Sequence, residues 1–346
     1  MSNIINYIMC KNPIIIFAQP DDNFFIWQCH LYIENCIENG FSEERIHVLL
    51  YNPQGRPPNN KWDKLKELYP KLKIYRYYDK GVTSLLGIYI PILRPHVLWQ
   101  HFEAFPDLSE ETIIYTDCDI LWSKRPDFKE LYEDDVCYVS NAASYMNYSY
   151  FLSKENQVLP NKLDEYKKRD VIQKLCDIVG IDKQLLIDNN DNTGGVQYIL
   201  KNIDAAFWKK VQEDTISIRT YLMKMNKEFY KNENEGWQSW CADLWAIQFN
   251  LWKTKKSKVS DKLSFTWATD PIEKLNTHFI FHNAGVTNKF MGDVPFFYKG
   301  EYHTGTNPMT DPHIQIVLNN EKSKKKCTWF YTNELMKLNE KYHINY

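Results

Sequence analysis

The sequence predicts an α/β protein with a mainly parallel central sheet flanked by helices. Short apolar runs suited to buried strands recur through the first 140 residues, and segments with helical spacing separate them. Two acidic clusters directly follow two of these apolar runs. Because ligands of such sheets bind beyond the carboxyl ends of the strands, the acidic clusters mark the expected site.

The first half of the chain is expected to alternate strand and helix. Strands are predicted at residues 14–18, 45–51, 73–77 and 112–116, and helices at 24–39, 61–68 and 91–105. Gly40 is expected to end the first helix. The fourth strand is apolar throughout, which is typical of a central strand. This order of elements predicts parallel strands joined by helical crossovers.

The second half of the chain is less regular. Helices are predicted at residues 167–179, 203–225 and 237–252, strands at 194–200 and 277–282, and a loop over 291–312. No internal repeat or clear linker divides the chain. A single domain with an elaborated C-terminal half is therefore the expected organisation.

The overall composition excludes several classes of protein. The formal net charge is −2, without the basic footprint of a dedicated nucleic-acid-binding protein. Residues 1–17 lack the charged segment of a signal peptide, and no apolar run approaches the about 20 residues of a membrane span. The eight cysteines show no CxxC spacing and are expected to be reduced, mostly buried thiols. The expected location is the cytoplasm.

The strongest chemical signal is a pair of carboxylates after the fourth predicted strand. Asp117 and Asp119 follow this strand directly, with only Cys118 between them. Carboxylate oxygens are the ligands that Mg²⁺ and Mn²⁺ prefer. A metal ion held there would bridge the protein and a nucleoside diphosphate, and would neutralise charge on the leaving diphosphate.

Two later segments supply further candidate residues. The segment from Asp191 to Gln197 leads into a predicted strand, and its two glycines either allow close approach of a ligand or form only a tight turn. His282 ends another predicted strand and is followed by Asn283-Ala284-Gly285. A histidine in this position is either a metal ligand or a hydrogen-bonded structural residue.

These segments resemble motifs of glycosyltransferases with the GT-A fold. Asp117-Cys118-Asp119 resembles their D-x-D motif, and Asn192-Thr193-Gly194-Gly195 their N-T-G-G segment, which lines the donor sugar. His282-Asn283-Ala284-Gly285 resembles their late H-x-x-G, whose histidine completes the metal site. The resemblance implies a GT-A fold, Mn²⁺ or Mg²⁺ held by Asp117, Asp119 and His282, and a UDP-sugar as donor.

Other segments are similar to hydroxyproline O-arabinosyltransferases and peptidyl-serine galactosyltransferases, over roughly residues 14–290. Trp27-Gln28-Cys29 resembles their W-Q-C, and Arg94-Pro95 followed by Trp99-Gln100 resembles their R-P segment. The segment from Gln238 to Ala246 resembles their Q-x-W-x-x-E-M-W-A helix, with Asp243 in place of the glutamate. The N-T-G-G and H-x-x-G segments are also similar to glycogenin-like transferases.

The resemblance and the strand order together assign roles to individual residues. Residues expected to contact the donor are Ala18, Gln19, Asp21, Arg94, Asp117, Asn192, Gly194, Gly195, Gln197, Gly285 and Lys289, the last as a diphosphate-binding lysine. Asp243 is flanked by apolar residues, so a partly buried carboxylate with a raised pKa is expected there, as suits a general base. In an inverting reaction Asp243 deprotonates the acceptor, and in a retaining one Asp243 or Gln197 orients the sugar.

The predicted domain organisation follows from these assignments. Residues 1–290 are expected to form the catalytic domain, with a nucleotide-sugar half at 1–140 and an acceptor half at 141–290. Residues 291–346 are expected to be an extension packed on the same domain. The sequence predicts no particular oligomeric state.

The predicted acceptor is a hydroxyl group of a protein or a glycan. The Lys-, Asn- and Ile-rich composition is typical of a low-GC genome, such as that of a bacterium, phage or large virus, which would place a viral protein in the host cytoplasm. Hydroxymethylated DNA is the alternative acceptor, disfavoured by the near-neutral charge although Lys322–Lys326 would suit a phosphate backbone. Aromatic residues at 145–151 or 296–302 would stack a base or a sugar.

Two interpretations from other classes stay open. One is a haloacid-dehalogenase-like phosphatase, which also has a strand ending in D-x-D. Such enzymes carry a threonine two residues after the second aspartate, where this chain has Leu121. The other is a non-catalytic sugar-binding protein on a transferase scaffold.

Overall fold

A computed structural model describes residues 12–83, 89–232, 235–285 and 287–343. Its strands are β1 Ile14–Pro20, β2 Ile46–Asn52, β3 Lys73–Tyr78, β4 Ile113–Tyr115, β5 Ile120–Trp122, β6 Cys137–Asn141, β7 Gly194–Leu200, β8 Ser257–Val259, β9 Phe265–Trp267, β10 Ile280–His282, β11 Phe290–Met291 and β12 Val294–Pro295. Its helices are α1 Asn23–Glu38, α2 Lys61–Leu68, α3 Leu93–Ala104, α4 Lys129–Tyr132, α5 Ala143–Met146, α6 Tyr148–Ser153, α7 Leu163–Arg169, α8 Val171–Val179, α9 Lys183–Asp188, α10 Ala205–Phe229, α11 Ala242–Thr254, α12 His313–Asn319 and α13 Cys327–Tyr342.

The central sheet has the strand order β3-β2-β1-β4-β7-β6-β8. Strands β3, β2, β1 and β4 are parallel to one another. Strand β7 runs antiparallel to both β4 and β6, and β8 is parallel to β6. The predicted α/β class with a mainly parallel central sheet is therefore confirmed.

Helices cover both faces of this sheet because side chains alternate along each buried strand. On one face, Ile15 and Phe17 of β1 join a core with α1 and α2. On the other face, Ile14 and Ile16 join a core with α3, α10 and α11. Both faces are apolar along β1, and the strand therefore reads as one continuous hydrophobic run.

A second, three-stranded sheet lies beside the first, in the order β5-β10-β9. Strand β5 begins directly after Asp119, so the chain passes from the central sheet to the second sheet within the D-x-D segment. Strand β10 pairs antiparallel with β5 and parallel with β9. This crossing brings a late strand of the chain to the end of β4.

Most predicted elements of the first half are confirmed, and two helices of the second half differ. The predicted helix at 167–179 is two helices, because Asp170 adopts a left-handed backbone (φ +36°) and its side chain caps α8 by accepting from the Gln173 amide. The predicted helix at 237–252 begins only at Ala242. Its start is displaced because the Asn226 side chain binds both the amide and the carbonyl of Trp237 and holds that residue outside the helix.

The C-terminal segment contains more structure than the predicted loop at 291–312. It forms the β11–β12 hairpin and the helices α12 and α13, which the sequence did not predict. The Tyr342 hydroxyl donates to Glu34 of α1 at 2.8 Å, and Lys341 pairs with the same carboxylate. The His303 ring stacks on Phe24 at 4.1 Å, so the segment packs along α1.

Two further sequence predictions concern membranes and cysteines. No helix of the described ranges combines the length and the apolar character needed to cross a bilayer. The seven described cysteines are buried and form no disulfide. Cys10 lies outside the described residues, as do most of residues 1–17, in which no signal peptide was predicted.

Candidate functional site

Asp117, Asp119 and His282 lie together at the end of β4. One potential ligand atom from each residue lies within 4.8 Å of those of the others. The His282 Nε2 atom is 3.4 Å from the Asp119 Oδ1 atom and 3.8 Å from the Asp117 Oδ2 atom. Asp119 and His282 are buried, and Asp117 is partly exposed. Among the described residues, this is the one group of three such side chains close enough to hold a metal ion.

Strand register brings these residues together. In the antiparallel pair of β5 and β10, His282 stands opposite Ile120, the residue after Asp119. The Asn283 amide extends this pairing by donating to the Asp119 carbonyl at 2.9 Å. The imidazole is fixed by Trp267 of β9, whose ring stacks on it with centroids 5.4 Å apart. The backbone therefore sets the separation of Asp119 and His282.

The composition of this cluster suits a divalent metal ion. Two carboxylates and one imidazole form an oxygen and nitrogen donor set that Mn²⁺ accepts readily, and carboxylates also suit Mg²⁺. The Asp119 Oδ1 atom is buried and makes no conventional hydrogen bond among the described residues. A buried carboxylate oxygen of this kind is costly unless a cation or donor compensates it. The residues present therefore fit the implied metal.

Lys299 is a cation that sequence reasoning did not identify. Its ammonium group pairs with the Asp119 Oδ2 atom, and the two side chains are 17% and 10% exposed. Burial raises the pKa of Asp119, but Lys299 and His282 lower it more, so the net shift is downward. Asp119 is therefore held as a carboxylate, the form that binds a metal ion.

Arg94 joins the cluster to Asp243. One guanidinium nitrogen donates to the Asp117 Oδ1 atom at 2.5 Å, and another pairs with the Asp243 Oδ2 atom. The Tyr89 hydroxyl lies 3.4 Å from the other Asp243 oxygen. Burial raises the pKa of Asp243, Arg94 lowers it and Asp117 raises it again, with a net upward shift. Asp243 is only 1% exposed.

One cavity adjoins this cluster, and a second cavity adjoins the first. The smaller, of about 190 Å³, contacts Asp117, Asp119, Arg94 and Lys299 and is also lined by Ala18 and Gln19. The larger, of about 600 Å³, shares several walls with it and reaches Asp21, Arg56 and His303.

Two polar side chains at the end of β1 have atoms available to a ligand in these cavities. Both amide atoms of the buried Gln19 side chain and the Asp21 Oδ1 atom lack hydrogen-bond partners within the described part of the chain. The other Asp21 oxygen accepts from the Asn59 amide at 3.2 Å and lies 3.4 Å from Arg76. Unpaired buried polar atoms favour a ligand that supplies their partners.

The segment Asn192–Gln197 is placed mainly by contacts within the protein. The Asn192 side chain donates to the Ser257 carbonyl and accepts from the Val259 amide, both at 2.8 Å. A side chain at Gly194 would overlap the neighbouring strand β6, and one at Gly195 would stand 3.3 Å from the Met146 sulfur. Close packing against β6 thus accounts for Gly194, and the predicted contact of both glycines with a donor sugar stays a prediction.

The end of this segment is nevertheless unusual. Val196 has a φ of +78°, a strained conformation for a β-branched residue. The next residue, Gln197, is fully buried, and neither of its amide atoms has a hydrogen-bond partner among the described residues. Continuing the pairing of Tyr115 with Tyr198 places Gln197 opposite Thr116, next to the D-x-D segment. Strain and an unpaired amide so close to the cluster are features of ligand sites.

The structure does not bring Lys289 to the cluster. Its ammonium lies 3.7 Å from Glu301 and 3.5 Å from Asp311 instead. Gly285 has a left-handed backbone (φ +74°), and the Lys299 side chain lies against it. Lys299, and not Lys289, lies beside Asp119, and no sequence motif marked Lys299 because it follows a hairpin. The predicted contact of Lys289 with the diphosphate stays a prediction.

Comparison with known proteins gives partial matches to solved structures. No protein-family model and no curated protein matches the chain. The fold is similar to galactosyltransferase LgtC in complex with donor and acceptor sugar analogs (13% identity, TM-score 0.38, 81% of this chain and 90% of that one). It is similar to the bifunctional glycosyltransferase WbbM (8%, 0.42, 93% of this chain and 52% of that one), of which it spans about half. It is also similar to mouse xyloside xylosyltransferase 1 (10%, 0.35, 80% and 99%).

Proposed function

We propose that the protein is a metal-dependent glycosyltransferase that uses a UDP-sugar. The observation that carries this proposal is the Asp117, Asp119 and His282 cluster, which opens onto cavities at the carboxyl ends of β1 and β4. This is where a parallel α/β sheet binds its ligands. A metal ligand set beside a cavity of about 190 Å³, which adjoins a second cavity of about 600 Å³, suits a nucleoside diphosphate sugar, which needs both a metal and room for the nucleoside.

The donor is oriented by the contacts that line the two cavities. The nucleoside lies in the larger cavity, where the unpaired Asp21 oxygen accepts from the base or ribose. The diphosphate lies in the smaller cavity beside Asp117, Asp119 and Lys299. Ala18 and Gln19, which the strand order predicts beside the base or ribose, line the smaller cavity.

Asp117, Asp119 and His282 would hold the metal ion, which neutralises charge on the leaving diphosphate. Lys299 and Arg94 add two cations at the same end of the cavity. Lys299 leaves Asp119 for the diphosphate when the donor binds. Arg94 keeps Asp117 and Asp243 in a fixed relation, so the donor and the acceptor sides of the site are positioned together.

Asp243 is the proposed general base of an inverting reaction. Its raised pKa favours proton abstraction. Arg94 pairs with both Asp243 and Asp117 and thereby holds Asp243 near the cluster. A retaining reaction needs no such base, and the unpaired amide of Gln197 would then orient the donor sugar with Asp243. The anomeric configuration of the product, measured by NMR, decides between the two.

The proposed acceptor is a hydroxyl group of a protein or glycan. Modified DNA is disfavoured by the net charge of −2. Lys322 and Lys324, two lysines of the basic run, are paired with Asp293 and Glu321 rather than free for a phosphate backbone. A phosphatase of the haloacid-dehalogenase type is disfavoured because the position of its threonine is taken by Leu121, which has no hydroxyl group and is fully buried within β5.

Calorimetry with UDP tests the proposal directly. Binding of UDP to the wild-type protein is expected to require Mn²⁺ and to disappear in Asp119→Ala. Asp293→Ala is the matched control, because it removes an exposed carboxylate that pairs with Lys322 on the surface. Tight binding of UDP without metal, or binding that Asp119→Ala leaves unchanged, would overturn the proposed site.

A further inference from the structure

Trp240 is the most exposed tryptophan of the protein. Its side chain is 55% exposed, whereas the other ten tryptophans, all within the described ranges, are buried or half-buried. A single exposed apolar residue is common on protein surfaces and needs no explanation by itself. Its position beside the proposed catalytic residue is what sets it apart.

Trp240 is close to Asp243 in the chain and shares a contact with it. It lies in the 3₁₀ turn Ser239–Cys241, directly before α11 and three residues before Asp243. The Tyr89 hydroxyl donates to the Trp240 carbonyl at 2.8 Å and lies 3.4 Å from Asp243. One buried tyrosine therefore holds both the backbone of the exposed indole and the buried carboxylate.

A third group, Arg219 of α10, lies over the ring of this tyrosine. Its guanidinium lies 3.8 Å from the centre of the Tyr89 ring, and its Nε atom has no hydrogen-bond partner among the described residues. The Arg219 residue is partly exposed. A guanidinium presents several N–H donors in a fixed plane, which suits groups rich in hydroxyl oxygens.

We propose that Trp240 and Arg219 form the acceptor subsite and that the acceptor is a saccharide. The inference rests on the proposed glycosyltransferase function, and it selects a glycan over a protein side chain. The apolar face of a sugar ring packs on the exposed indole, as amphipathic aromatic side chains allow. Arg219 donates to ring hydroxyls, and the bound sugar thereby presents one hydroxyl toward Asp243.

Four of the other aromatic residues considered for this role are not accessible, whereas Tyr145, Tyr148, Tyr150 and Tyr298 are half-buried. Phe151, Phe296, Phe297 and Tyr302, from the segments 145–151 and 296–302, are buried in the hydrophobic cores. A flipped DNA base would also stack on an indole, but duplex binding needs a cluster of cations along the phosphates. The structure describes two cations near Tyr89, Arg219 and Arg94, and Arg94 is already paired with Asp117 and Asp243.

Saccharide binding to a Trp240→Ala variant tests the inference. Lactose and cellobiose are titrated by NMR into the full chain with Mn²⁺ and UDP, and their affinity is expected to fall about 3- to 10-fold in the variant. Trp240→Phe should retain part of the affinity, because a smaller ring still stacks. Phe290→Ala is the matched control, since it removes an aromatic ring that is 52% exposed on the β11–β12 hairpin.

The outcomes separate this inference from the proposed function. Calorimetric UDP affinity should be the same in Trp240→Ala as in the wild type, because UDP binding needs no acceptor. The inference is overturned if neither disaccharide binds the wild type or if Trp240→Ala binds them as tightly as the wild type does. It is also overturned if, in a parallel titration with hydroxymethylated DNA, the variant loses affinity for the DNA and not for the disaccharides. Failure of UDP to bind the wild-type protein would instead reject the proposed function. In that case, titrating the disaccharides without UDP would still measure whether Trp240 contributes to saccharide binding.

Discussion

Replacing Lys299 with alanine is predicted to strengthen the binding of Mn²⁺ alone and to weaken the binding of UDP. The Lys299 ammonium pairs with the Asp119 carboxylate. A metal ion that binds alone must displace this lysine or share the carboxylate with it. A donor diphosphate gives the lysine a new partner. The same side chain therefore weakens the binding of the metal alone and strengthens the binding of the metal together with the nucleotide.

The exposure of the two side chains sets the expected magnitude. Lys299 is 17% and Asp119 10% exposed, so the pair is closer to a buried contact than to a surface ion pair, which is worth about 0–1 kcal/mol. A hydrogen bond to a charged group contributes about 1.5–3 kcal/mol. Since about 1.4 kcal/mol is tenfold, the dissociation constant of Mn²⁺ alone should fall about 10- to 100-fold in Lys299→Ala, and that of UDP should rise by a similar factor.

Calorimetric titrations measure both quantities, first with MnCl₂ alone and then with UDP at saturating Mn²⁺. Lys289→Ala is the control, because Lys289 pairs with Glu301 and Asp311 away from the cluster and should change neither constant. The same pair of variants compares the lysine predicted from the sequence with the lysine found beside Asp119. If Lys289→Ala weakens UDP binding and Lys299→Ala changes nothing, the reasoning from the structure is refuted.

Three further predictions concern the base, the metal ligand and the sheet. Asp243→Asn should lower kcat about 100-fold with UDP affinity retained, because a general base contributes about 10²–10⁴-fold; an unchanged kcat in steady-state assays would exclude that role. Since the fold lowers the pKa of Asp119, its stabilising contribution is present above the unfolded-state value of about 3.9 and is lost as the pH falls further. The difference in urea stability between the metal-free wild type and Asp119→Asn should therefore shrink from about pH 6 to about pH 3. Gly194→Ala should reduce the free energy of unfolding by about 1–3 kcal/mol through overlap with β6, and Gly195→Ala by less, as urea denaturation would measure.

Local sequence patterns were sufficient for the elements that position the site. The apolar run before Asp117 predicted a central strand, and β4 lies between β1 and β7. Helix α2 has the predicted bounds, and Gly40 follows α1 with a φ of +77°. These predictions succeed because burial of a strand and termination of a helix are decided by a few neighbouring residues.

Contacts between distant segments could not be predicted in the same way. Lys299 reaches Asp119 across 180 positions of sequence, through a hairpin whose course depends on the packing of the C-terminal helices. The spacing from His282 pointed to Lys289 and gave no indication that Lys299 lies beside Asp119. The burial of Asp243 was visible in its apolar neighbours, but its pairing with Arg94 depends on how α3 and α11 both pack against α10.

The charges around the cluster explain why metal and nucleotide should bind together. Asp117, Asp119 and Asp243 carry three negative charges, and Arg94 and Lys299 carry two positive ones, so these five side chains have one excess negative charge. This excess repels a diphosphate and attracts a divalent cation. After the cation binds, the group has one excess positive charge and attracts the diphosphate instead. Salt screens these charges only weakly because the side chains are little exposed, so the change in net charge on cation binding acts strongly on the diphosphate. The cluster therefore favours the metal and the diphosphate as a pair over either one alone, and UDP affinity should depend on Mn²⁺ even at high ionic strength.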